Sequence, residues 1–83
     1  MFKMDVDILE IVEILESLSF DEMPLKARQQ IEQVISQLKI KHVETETLLK
    51  VQDEIEHVIS MGNIDSFTRN ELMNIVSIIE TLL

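Results

Sequence analysis

Glu10, Glu13 and Glu16 recur at three-residue intervals, a spacing that on a helix gathers carboxylates. Paired carboxylates can hold Mg²⁺ against phosphate oxygens, so one chemistry to test is that of a Mg²⁺-dependent nucleotide phosphohydrolase using acidic helix faces. Asp53, Glu54 and Glu56 form a second acidic group, and His57 follows Asp53 by four positions, a pair that could share a metal or a proton. His42 has no ligand-like company, there is no Cys, and no Ser sits in a nucleophile turn. Arg28 and Arg69 each stand near the start of a helical pattern, where the helix dipole disfavours a cation.

What these residues can do depends on the elements that carry them. Apolar residues from Met4 to Leu18 fall at Ile8, Ile11, Val12, Leu15 and Leu18, the period of a helix. At about 100° per residue, Glu10 and Glu13 lie broadly opposite that stripe and Glu16 lies at its flank. A second helix follows Pro24, which suits a first helical turn, with Ala27, Ile31, Val34, Ile35 and Leu38 inward. The polar, β-branched stretch Lys39 to Glu46 leads to a third helix starting near Glu44 or Thr45, with Leu48, Val51, Ile55, Val58 and Ile59 inward. Gly62 and Asn63 stop it. Asp65, Ser66 or Thr68 can cap the fourth, Thr68 with Glu71 fits a capping box, and Leu72, Ile75, Val76, Ile79 and Leu83 form its stripe.

The acids therefore read as a solvated face and His57 as an exposed side chain near Asp53, which leaves no catalytic residue, metal ligand or cofactor expected. The arginines read as structural, pairing Glu13 with Arg28 and Glu54 with Arg69; the face arithmetic favours the second pair, because Glu13 points farther from the core.

Sliding the chain by 41 positions aligns Ile8 to Lys39 with Leu49 to Glu80 without a gap. Glu13/Glu54, Ile14/Ile55, Ser19/Ser60, Arg28/Arg69 and Ser36/Ser77 become identities. One helical hairpin cannot hide its stripes from water, so two tandem copies are expected to pack as an all-α, up-and-down four-helix bundle. The expected organisation is one domain over 1–83, with hairpins at about 5–39 and 47–83 and a connector at 40–46.

The runs Ile14-Leu15-Glu16-Ser17-Leu18-Ser19, Met23-Pro24-Leu25-Lys26-Ala27-Arg28 and Thr68-Arg69-Asn70-Glu71-Leu72-Met73-Asn74-Ile75-Val76-Ser77 resemble a small archaeal group, uncharacterised protein family 0147. The resemblance covers nearly the whole chain and implies a four-helix bundle with an internal repeat and no assigned activity. It departs in the second turn, where Ile64-Asp65 stands in place of the Met-Pro pair usual in that family.

Composition narrows the function. The 83 residues are 46% hydrophobic and 28% charged, which is globular. Seven Lys and Arg against sixteen Asp and Glu give a formal net charge of −9, which repels nucleic acid. No apolar run is long enough to span a membrane, and Lys3 is followed at once by Asp5, Asp7 and Glu10 instead of a secretory apolar stretch, so the expected address is the cytoplasm. Phe67, Ile78 and Leu82 extend apolar surface round the fourth helix, as Leu9 and Ile14 do on the first. A helix this broadly apolar meets partners on two sides. The expectation is a non-catalytic interaction module, a symmetric homodimer or the partner of another protein, with Phe67, Ile78, Leu82, Leu9 and Ile14 as its candidate interface.

Overall fold

The periodic stripes become four helices in a computed structural model that describes residues 3–18, 23–40 and 42–83, with side chains from Val6 onward. These are α1 (Lys3–Glu16), α2 (Leu25–Leu38), α3 (Thr45–Ser60) and α4 (Ser66–Leu82). Most of the break at Ser19 to Met23, the place of Phe2 and the side chain of Met4 lie outside the described residues.

α2, α3 and α4 begin where the chain can leave helical dihedrals cheaply. Pro24 has φ −56° and ψ 148°, and its carbonyl accepts from the Arg28 amide at 3.0 Å. It is thus the residue before the first turn rather than within it; its fixed φ and missing amide suit either place. Glu44 and Asp65 are extended and accept from Leu48 and Arg69 at 3.1 and 3.0 Å, but neither side chain caps its helix. The Thr68–Glu71 capping box does not form, because Thr68 already lies inside α4 and is buried against the core. Ends are tighter: the Ser17 amide is shared between the Glu13 and Ile14 carbonyls, and the Ser17 hydroxyl donates to Ile14 at 2.7 Å. After α3, Gly62 takes φ 76°, a left-handed conformation that costs a side-chain-bearing residue more than it costs glycine.

α1 packs on α2, α2 on α3, α3 on α4 and α4 back on α1, which makes an up-and-down ring of four around one core. The 20 × 19 Å cross-section is that of a two-by-two array of helices spaced about 8 to 10 Å apart. Fully buried Ile11, Leu15, Ile31, Leu48, Ile55, Leu72, Ile75 and Ile79 fill it. Each such side chain contributes roughly 1.5–3 kcal/mol over an exposed one. Ile35, Ile59 and Val76 are half-buried at the stripe edges, and Leu83 is 49% exposed at the chain's last position instead of joining the core.

Burial corrects the repeat. In the second helices, the matching interior positions are Ala27/Thr68, Ile31/Leu72, Val34/Ile75 and Leu38/Ile79, all separated by 41. In the first helices they are Ile8/Leu48, Ile11/Val51, Leu15/Ile55 and Leu18/Val58, separated by 40. The gapless register therefore slips by one residue between Leu18 and Met23, and α1 is turned by about 100° relative to that alignment. Ile14 and Ile55, identical in the gapless register, lie at different depths: Ile14 is half-buried and Ile55 fully buried.

Candidate interaction surfaces

Because the stripes take the interior, the acids are left outside it. Glu10, Glu13 and Glu16 are exposed on α1, as are Asp53 and Glu56 on α3. Among the described residues, no three His, Asp or Glu side chains converge. His57 is exposed and borders a shallow α2–α3 groove with Lys26, Gln29, Gln30 and Gln33, and His42 is exposed in the connector.

Neither expected arginine pair forms. Among the described residues, the ion pair within 4 Å is Lys39 Nζ with Glu16 Oε2, at 2.8 Å. Glu54 turns toward α2 instead of α4: Gln30 Nε2 donates to its Oε2 at 2.7 Å and Gln37 Nε2 at 3.1 Å. The one-residue slip explains why Glu13 does not repeat this. Glu54 occupies the position matched by half-buried Ile14, whereas Glu13 matches exposed Asp53. Arg28 and Arg69 are each the fourth residue of their helix and half-buried.

The candidate interface residues separate into three settings. Phe67 is 66% exposed on α4. Ile78, Leu82 and Ile14 are half-buried and already packed against the core, so each can offer only part of its surface. Leu9 is 57% exposed and points elsewhere, since five residues of helix rotation set it about 140° from Ile14. It lines a groove of about 440 Å³ between α1 and the end of α2, floored by Ile8, Val12 and Leu38 and walled by Ile40 and Val43. A second groove, of about 350 Å³, runs between α3 and α4 past Ile59, Met73 and Val76.

No protein-family model, curated protein or solved structure matches this chain. The surface itself must carry the functional argument.

Two parts of that surface escaped the reading of the stripes. Ile40 is 50% exposed in the connector, beside half-buried Val43, where no periodicity marks them. Met73 is 51% exposed on α4 and lies outside the apolar arc assigned to that helix. The repeat held the signal for Met73, because α2 carries Glu32 at the same position and Lys26 at the position of Phe67. Both α2 residues are exposed, so at these two positions the second hairpin has apolar groups where the first has charges.

Proposed function

We propose that this protein is a small, non-catalytic protein–protein interaction module that self-associates through α4. The observation that carries the reading is the solvent-facing side of α4. Phe67, Asn70, Met73, Asn74, Ser77 and Thr81 are exposed and uncharged, and Glu80 is the one exposed charge on the helix. α3 exposes Glu46, Lys50, Asp53 and Glu56 over a similar length. Two copies of net charge −9 repel, and the repulsion is least where neither presents charge. A twofold arrangement brings a surface against itself, so a neutral face with a large exposed aromatic suits that symmetry. Stable dimers bury about 800 Å² per partner, about 15% of the 5296 Å² surface here, so the contact would extend from α4 across the α3–α4 groove onto α3. Kinship with uncharacterised protein family 0147 and a cytoplasmic setting belong to the same proposal.

Sedimentation equilibrium tests it. A dimer at high micromolar concentration that dissociates in Phe67→Asp supports the reading, and a strictly monomeric native chain at that concentration overturns it.

A further inference from the structure

The α1 groove differs in kind from the α4 face. Its floor is aliphatic and dry, with Ile8, Val12 and Leu38 at 7%, 5% and 3% exposure, and Leu9 and Ile40 rise from its sides at 57% and 50%. Its edge is acidic. Glu13 and Glu16 line it, and Lys39, the cation that lines it among the described residues, is engaged by Glu16 at 2.8 Å, leaving Glu13 with its charge toward solvent. Glu10 adds a further exposed carboxylate one turn before Glu13.

These features select an occupant. From Ile8 to Glu16 the α1 side of the groove is about 12 Å long, two helical turns, which fits apolar anchors at i, i+3 or i+4, and i+7 of a docked helix. Recognition of a polyproline segment uses aromatic walls, and among the described residues none that lines the groove is aromatic. Strand addition needs a sheet edge, and the described residues contain no strand. Anionic lipid would set negative charge against Glu13, and a second copy of this chain would bring a net charge of −9 to an acidic edge. The floor and wall of the groove are particular to hairpin one: at the matching place in hairpin two, Gln52 replaces Val12 and donates to Glu80 at 3.5 Å, and Thr81 replaces Ile40, while Leu49, Asp53 and Glu56 repeat Leu9, Glu13 and Glu16.

We infer that the groove between α1 and the α2–α3 connector is a docking site for a basic amphipathic helix of another protein. The apolar face of that helix seats on Val12, Leu38 and Ile40 and its Lys or Arg residues meet Glu13. This site is separate from the α4 face and does not depend on self-association.

The probe is a synthetic two-heptad helical peptide, leucine on one face and lysine on the other, titrated by fluorescence anisotropy at physiological salt. Saturable binding is expected, with amide shift changes concentrated in residues 8–16 and 38–43. Leu9→Gln combined with Ile40→Gln, which removes apolar surface without adding charge, should weaken it at least ~10-fold, both sites being exposed and circular dichroism confirming the fold. Glu13→Lys should weaken it roughly 3- to 10-fold, less at high salt. Phe67→Asp should leave it unchanged, which separates this inference from dimerisation. The inference is overturned if the peptide does not saturate, if a glutamate-for-lysine version binds equally, if the double variant binds as the native chain does, or if the shifts map to α4.

Discussion

Val12 and Ile40 line an open groove in hairpin one, while the equivalent positions of hairpin two hold Gln52, which donates to Glu80, and Thr81. The reverse holds on the second helices, where exposed Lys26 and Glu32 of α2 correspond to exposed Phe67 and Met73 of α4. The two copies share most interior positions and some exposed ones, Leu9/Leu49 and Glu13/Asp53 among them, but change polarity at these four. An interior position is constrained by close packing with its neighbours, whereas an exposed one is free to follow whatever the surface meets. The comparison therefore assigns structure to the shared interior and marks Val12/Gln52, Ile40/Thr81, Lys26/Phe67 and Glu32/Met73 as the places where the two surfaces part.

The sharpest way to break it is through the interior. Leu15→Ala and Ile55→Ala, matched across the one-residue slip and both fully buried, should each cost about 2–5 kcal/mol in urea unfolding. Ile14→Ala should cost clearly less, because Ile14 is only half-buried. Equal losses at Ile14 and Ile55 would restore the gapless register and undo every surface correspondence drawn from α1.

A smaller effect sharpens the same point. Glu54 accepts from Gln30 and Gln37, so Glu54→Ala should destabilise by about 1–2 kcal/mol, with partial exposure keeping it at the low end for bonds to a charged group. Glu13→Ala should stay within about 0.5 kcal/mol. In the turn of hairpin two, Gly62→Ala should cost about 1 kcal/mol from the positive φ alone, since nothing lies within 4 Å of the added carbon, and Gly62→Asn should cost less. Thermal melts of these variants rank them.

How far the sequence carried these conclusions differs by level. The stripes through Ile11, Leu15, Ile31, Leu48, Ile55 and Leu72 were readable because burial on a helix repeats every 3.6 residues, and composition alone favours placing them inside. The slip was hidden because Glu13/Glu54 and Ile14/Ile55 reward a gapless match, and identity is blind to which way a side chain points. The arginine pairs failed for a related reason: placing residues level across a turn says nothing about a competing neighbour, and Gln30 and Gln37 reach Glu54 from α2. Ile40 and Val43 stood in a connector among polar residues, where no period distinguishes a groove wall from a loop. Phe67 stood out at once, being one of three aromatic residues and off the stripe.

The smallest expected effect bears on the groove. Lys39 and Glu16 are 56% and 48% exposed, so their 2.8 Å pair contributes about 0–1 kcal/mol to stability, and Lys39→Met should scarcely move the melting temperature. Its consequence for binding should be larger than for folding. Removing the cation frees Glu16 beside Glu13, deepens the negative potential of the groove edge and adds apolar surface to its wall, so the Leu/Lys peptide should bind several-fold more tightly, mostly through faster association at low salt. Unchanged affinity at both low and physiological salt would mean that the charge at this edge does not select the occupant, and only the aliphatic floor would remain as a ground for recognition.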